Sequence, residues 1–405
     1  MNTNISRVVI IGAGQAGAWA AYTLRQQGYS GSIAVVSNEN QIFYERPPLS
    51  KQVLAGEMSP AATSLFSAET VAAMNIEWHK PDTAIFIDRT LKQVQLASGN
   101  YLPYDKLIIT TGSRAKVPVA AWRDIQGVYT LRTTADADRL GEELVTGRRI
   151  AIVGGGWIGL EVAATARKKG LEVSVFELGD RLCARSVSKD VSEFLYQLHR
   201  KNGVEVKLAC GAIDLKRGEG KSVLVTSGGN ENLFDVVVIG VGAEIATELG
   251  RDAGLEVTSG IVVDEYGKTS DPDIYAAGDV AIHPQLGFCI QSWANAQNQA
   301  ISAAKSVLGE TTVYEDTPWL WSDQYSSNIQ ILGVPGRGEG VDIQRIISDE
   351  QMSFIRLDQE GRLESLIAIN DSKIVKLGKR WIKAKTKLPA DLLEDPKANL
   401  MALKP

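Results

Sequence analysis

The chain has 405 residues, 44% apolar and 22% charged, with a formal net charge of −5. At about 100–200 residues per domain, that length predicts two to four domains with sizeable cores. The acidic balance excludes general nucleic-acid binding, and no apolar run approaches the roughly 18 residues of a membrane span. The N-terminus enters a strand without a basic leader. Cys183, Cys210 and Cys289 stand far apart, as expected of reduced thiols in a cytoplasmic protein, with no metal or disulfide role.

The first module runs from Ser6 to about Ser113. Its apolar run Val8-Val9-Ile10-Ile11 leads into Gly12-Ala13-Gly14-Gln15-Ala16-Gly17. This order predicts a strand, a tight turn and a helix that follows Gly17 and ends near Gly28. Glycines at this spacing let backbone approach a pyrophosphate, whose charge then rests on amides at a helix N-terminus. A second strand, Ile33 to Val36, ends in Ser37-Asn38-Glu39, so a ribose partner is Asn38 or Glu39. A proline-containing loop from Tyr44 to Lys51 follows, then a strand from Lys106 to Thr110 that stops at Thr111-Gly112-Ser113.

The second module, from about Arg114 to Val241, repeats the order. Ile150-Ala151-Ile152-Val153 enters Gly154-Gly155-Gly156-Trp157-Ile158-Gly159, a helix runs to Gly170, and the strand Glu172 to Phe176 ends at Glu177. A carboxylate there accepts hydrogen bonds from ribose hydroxyls and repels a 2′-phosphate, which favours NADH over NADPH. Arg181 and Arg185 follow closely and weigh slightly the other way. The module closes on Phe234 to Gly240, and the two modules form an approximate duplication.

Beyond Gly242 come Thr269 to Asp279 and a helix from about Ser292 to Leu308. From Pro318 the pattern changes to short strand-like runs: Asn328 to Leu332, Ile343 to Ile347, Met352 to Leu357 and Ser365 to Ile369. With turns at Gly333, Gly338 and Gly361 they predict a small antiparallel sheet. A basic helical stretch follows, from about Lys373 to Lys387, with Gly378 a weak point inside it. His79, His199 and His283 show no metal spacing and are expected on the surface or in loops.

Taken together, Gly12/Gly14/Gly17, the loop Tyr44-Glu45-Arg46-Pro47-Pro48-Leu49-Ser50-Lys51, Thr111-Gly112-Ser113, Gly154/Gly156/Gly159 with Glu161, and Thr269 to Asp279 fall in the order of a known family. The chain resembles the FAD-dependent pyridine-nucleotide oxidoreductases. More narrowly, it resembles the NADH-dependent ferredoxin reductases of bacterial oxygenase systems, a group that includes putidaredoxin reductase. The segment Pro318 to Tyr325 is similar to that subgroup, and Arg46 to Lys51 is the most specific piece.

That resemblance implies an α/β fold with two Rossmann-like dinucleotide-binding domains and a small α+β C-terminal domain. Residues 1–113 and 243–320 would bind FAD, residues 114–242 would be an inserted NAD-binding domain, and residues 321–405 would form the C-terminal domain. Gly12, Gly14, Ala16, Gly17, Asn38 or Glu39, Arg46, Lys51, Ala84, Arg132, Asp279 and Trp293 are the implied FAD residues. Gly154, Gly156, Ile158, Gly159, Glu161 and Glu177 are those for NADH. Lys51 and Glu161 are the implied catalytic pair: a lysine that stabilises charge on the reduced ring and a glutamate that holds it. The alternative is a structural ion pair.

The disulfide-reductase branch carries a Cys-x4-Cys pair in the stretch that here reads Tyr44 to Lys51, without cysteine. Electrons leaving the flavin are therefore expected to pass directly to an outside acceptor or to oxygen. The implied acceptor is a [2Fe-2S] ferredoxin. The one-signed charge of the basic stretch makes Lys379, Arg380 and Lys383 either its docking site or a solvated helix face, with Trp319, Trp321 and Trp381 either lining the route or packing a core. The alternatives are an NADH oxidase or rubredoxin reductase, or a flavoprotein like apoptosis-inducing factor.

Overall fold

Val8 to Ile11 carries apolar side chains on both faces because both faces of its sheet are covered. In the computed structural model, which describes residues 5–220, 222–334 and 338–403, a parallel sheet has the order Ile274–Ala276, Lys106–Ile109, Arg7–Ile11, Ser32–Val36, Ile76–His79. The helices Gln15–Gln26 and Trp293–Val307 cover one face with small residues, among them Ala18, Ala21, Ala300 and Ala303. The antiparallel sheet Ala84–Asp88, Gln93–Leu96, Tyr101–Pro103 covers the other through Ile87, Val94 and Leu102. These elements belong to one compact unit, Met1–Arg46 with Pro60–Arg114 and Ala243–Asp316.

The second unit comprises Pro47–Ser59, Ala115–Gly242 and Thr317–Pro405. It repeats the first arrangement with the parallel order Glu205–Lys207, Glu172–Phe176, Arg149–Val153, Val236–Ile239, Val128–Tyr129. A three-stranded antiparallel sheet, Ile213–Arg217, Val223–Ser227 and Asn230–Phe234, packs against it through Leu215, Val225 and Phe234. The helix Trp157–Lys168 follows the glycine turn and buries Leu160, Val162 and Ala163. The segment Pro47–Ser59 is fastened to this helix: Thr165 Oγ1 donates to Ser50 O at 2.8 Å, and Lys168 Nζ pairs with Glu57 at 2.6 Å.

The C-terminal region of this unit is an antiparallel sheet ordered Trp319–Gln324, Ser327–Gly333, Leu363–Ile369, Gln351–Asp358, Gly340–Ser348. The edge strand Trp319–Gln324 adds to the four runs the sequence suggests. The basic stretch is a helix, Ser372–Ala384, whose Ile374, Val375, Leu377 and Trp381 face the core. Gly378 is a point of close packing, not a weak point: a Cβ there would lie 2.9 Å from Leu332 Cδ2. The buried Arg345 donates to the carbonyls of Leu393, Pro396 and Ala398, which fastens the C-terminal tail.

Two expectations need correction. The first helix starts at Gln15, so Gly17 lies inside it. His199 is neither on the surface nor in a loop: it is 0% exposed within the helix Lys189–Lys201, whereas His283 does lie in a loop, although only 3% exposed. His199 falls on the apolar stripe of the helix Lys189–Lys201, below Val191 and Leu195.

Candidate active site

Both glycine turns have the same physical construction. Gly12 has φ +113° and Gly154 φ +107°, backbone that side chains rarely adopt. A Cβ on Gly17 would lie 2.0 Å from Gly12 O, and one on Gly159 would lie 2.4 Å from Gly154 O. Each helix thus needs glycine to approach its own turn. Gly14 and Gly156 differ: a Cβ there would come no closer than 3.9 Å and 3.8 Å to the rest of the chain, so their bareness keeps space open. Both are N-caps without a side-chain acceptor, which leaves first-turn N–H groups for an anion. These cradles fit a dinucleotide pyrophosphate.

In the first unit several implied FAD residues gather around the turn. Arg46 Nη2 lies 2.8 Å from Glu39 Oε1, and the Arg46 guanidinium stacks on Tyr44. Burial acts to lower the Arg46 pKa, but Tyr44, Glu39 and Asp279 outweigh it and hold the group above its ordinary value. Ser113 Oγ donates to Asp279 at 2.7 Å. Gly278, beside it, sits against Ala16: a Cβ on Gly278 would lie 2.9 Å from Ala16 Cβ. Asn38 is exposed at the end of the second strand, whereas Glu39 is turned to Arg46. Trp293 opens the helix that packs on Gln15–Gln26. Ala84 begins the covering antiparallel sheet.

In the second unit Glu177 stands at the end of the strand Glu172–Phe176. Its Oε2 accepts from Gly155 N at 2.6 Å and its Oε1 from Gly179 N at 2.7 Å, so the carboxylate sits at the glycine turn. Ile158, in the first helical turn, is exposed. Arg181 is occupied by its own loop, donating to Val187 O, Ala184 O and Ser192 Oγ. Arg132 precedes the helix Thr134–Glu143, and its amide donates to Asp136 Oδ2 at 3.1 Å.

Lys51 and Glu161 meet within this same unit. Lys51 Nζ lies 2.9 Å from Glu161 Oε2, with side chains 11% and 4% exposed. Lys51 Nζ also donates to Pro47 O at 3.1 Å. Ser50 Oγ donates to Glu161 Oε2, and Ser322 Oγ to Glu161 Oε1 at 2.6 Å. A buried pair survives only when its remaining lone pairs are satisfied, as here. Ser50 and Ser322 are additions to the sequence-based set. Ser50 lay within the motif itself, but no spacing signals that Ser322 meets a helix so far upstream.

Trp319 and Trp321 stack at 5.1 Å between ring centroids, and Lys379 Nζ lies 4.3 Å from the Trp319 ring centre. Trp381 is core, donating Nε1–H to Leu403 O. Among the described residues no metal-ligating cluster exists, the three cysteines are free, and no helix is long and apolar enough to cross a membrane.

Residues 6–300 match the family described as pyridine nucleotide-disulphide oxidoreductase, and residues 319–404 match the reductase C-terminal family. The chain is 36% identical over 402 residues, 98% of either chain, to the ferredoxin–NAD(+) reductase component of the p-cumate 2,3-dioxygenase system of Pseudomonas putida. It is 35% identical over 401 residues, 97% of this chain and 98% of the relative, to the corresponding component of the anthranilate 1,2-dioxygenase system of Burkholderia cepacia. Among solved structures, the covalent putidaredoxin reductase–putidaredoxin complex matches with a TM-score of 0.91 and 33% identity over 98% of both chains. With most of its length matched and both glycine turns in place, the chain belongs to the pyridine nucleotide-disulphide oxidoreductase family.

Proposed function

We propose that the protein is an NADH-dependent ferredoxin reductase of an oxygenase system, passing electrons through FAD to a [2Fe-2S] ferredoxin in the cytoplasm. The observation that carries this reading is the pair of uncapped helix starts behind glycine turns, in a chain whose described cysteines form no pair. Bound FAD would supply the conversion between the two-electron chemistry of a hydride donor and the one-electron chemistry of a ferredoxin.

The chain's own residues then have separate tasks. The amides after Gly12 and Gly14 take the FAD pyrophosphate, with Asp279 and Asn38 or Glu39 on its hydroxyls. The amides after Gly154 and Gly156 take that of NADH, with Glu177 on the ribose. The Lys51 ammonium stabilises negative charge on the reduced ring, and Glu161 holds Lys51 in place. Lys379, Arg380 and Lys383 receive the acidic ferredoxin.

The test is an anaerobic titration of reconstituted holoprotein with NADH, followed by cytochrome c reduction with and without added [2Fe-2S] ferredoxin. The reading expects bleaching of the flavin and ferredoxin-dependent reduction. Colour that persists under NADH overturns it, and rapid oxygen consumption without a protein acceptor transfers the assignment to an NADH oxidase. Lys51→Met is expected to slow flavin reduction at least about tenfold in stopped flow. An unchanged rate would leave the pair a structural bridge.

A further inference from the structure

Glu161 is the end of a buried hydrogen-bond path that extends well beyond Lys51. Ser322 Oγ donates to Glu161 Oε1 at 2.6 Å, and Gln324 Nε2 donates to Ser322 Oγ at 3.1 Å. Gln324 Oε1 lies 2.9 Å from His199 Nε2, and His199 Nδ1 lies 3.1 Å from the Tyr325 hydroxyl. His199 and Gln324 are 0% exposed and Ser322 1%. Ser322 and Gln324 share one face of the strand Trp319–Gln324 because side chains alternate along a strand. His199 comes from the last turn of the helix Lys189–Lys201.

The direction of every proton along this path follows from the ion pair. The Glu161 carboxylate, paired with Lys51, can only accept, so the Ser322 hydroxyl donates to it. Ser322 Oγ then accepts from the Gln324 amide nitrogen. That orientation turns Gln324 Oε1 to His199, whose Nε2 must carry the hydrogen. Nδ1 is left bare and accepts from the Tyr325 hydroxyl.

We propose that His199 is a positioning residue for the Lys51–Glu161 pair, acting through Gln324 and Ser322. The proposal rests on the reading above that this pair serves the flavin. Lys51 and Ser50 both engage Oε2 of Glu161, whereas Ser322 holds Oε1. The other tautomer of His199 would present a bare Nε2, draw the Gln324 NH2 group toward it and turn Gln324 Oε1 to Ser322. The serine proton would then have two competing acceptors, and Glu161 Oε1 would lose its fixed donor. Tyr325 biases against this, because its phenol is a better donor to a bare Nδ1 than an acceptor from an Nδ1–H. Burial, opposed by the Gln324 bond, pushes the His199 pKa down to about 4, so the imidazole stays neutral at neutral pH.

The test uses holoenzyme labelled with 15N-histidine, which has only three histidines to assign. The proposal expects His199 as the neutral Nε2–H tautomer, with no titration between about pH 5.5 and 8. Tyr325→Phe and Ser322→Ala should each slow flavin reduction by NADH about tenfold and make the flavin midpoint potential more negative. Ser322→Thr, which keeps the hydroxyl, should restore both. Loss of packing alone would lower the unfolding temperature without moving the potential.

An Nδ1–H tautomer in the unaltered protein overturns the proposal, as does titration near the ordinary histidine value. A slowed Lys51→Met beside an unaffected Ser322→Ala overturns it alone. An unchanged Lys51→Met overturns the reading of the pair, and this proposal with it.

Discussion

Both carboxylate oxygens of Glu177 are engaged by backbone amides of the turn region, Gly155 N and Gly179 N, which fixes its charge at the second glycine turn. A ribose diol meeting that charge gains hydrogen bonds, and a 2′-phosphate meets repulsion. Glu177→Ala is therefore expected to raise the KM for NADH about tenfold with kcat nearly unchanged, measured with ferricyanide as acceptor. It should not by itself create NADPH activity, because Arg181 is committed to carbonyls of its own loop. Efficient NADPH turnover by that variant would contradict this account. Glu177 was legible in the sequence because its position after a glycine turn and a strand is local information. His199 was not, because its partners lie more than a hundred residues downstream. A partial signal existed in the spacing of Val191, Leu195 and His199, which places the histidine on a buried helical stripe.

At the scale of elements, the helix Ser372–Ala384 combines an apolar face with a face of one charge sign. Ile374, Val375, Leu377 and Trp381 are buried, while Lys373, Lys376, Lys379, Arg380 and Lys383 are exposed. That division was readable from helical periodicity. The strand Trp319–Gln324 was not, since most of its side chains are only half-buried and show little alternation. Pairing with Ser327–Gly333 fixes it, and its alternation brings Trp319 and Trp321 to one face, where Lys379 meets Trp319. A cationic helix on a protein of net charge −5 concentrates attraction for an acidic partner at one place. Neutralising Lys379, Arg380 and Lys383 together is expected to raise the KM for ferredoxin about tenfold at low salt and leave ferricyanide reduction intact. Equal loss with both acceptors would count against docking there.

For the whole molecule, the duplicated strand, turn and helix order was legible because each glycine turn is a local pattern. The membership of Pro47–Ser59 in the second unit was not, because contacts with a distant helix determine it, through Ser50, Glu57, Glu161, Thr165 and Lys168. Burial of uncharged histidine in each unit also gives the protein a specific acid response. His199 and His283 are both held below the ordinary value of 6.5, chiefly by burial, and His199 does not protonate until about pH 4. Between these values the unfolded chain binds more protons than the folded one. Stability is therefore full above about pH 6.5 and falls as the pH drops toward 4. For His199 the loss amounts to roughly 3 kcal/mol across the window, at about 1.4 kcal/mol per unit. Carboxylates held low by hydrogen bonds, such as Asp82 with Ser98 and Asp105 with Ser6, lose their contribution only below about pH 4, so the two effects separate. Thermal unfolding followed from pH 8 to 4.5 should show the decline begin near 6.5, and His199→Gln should flatten it. An unchanged slope in that variant would mean that His199 is not the group taking up the proton.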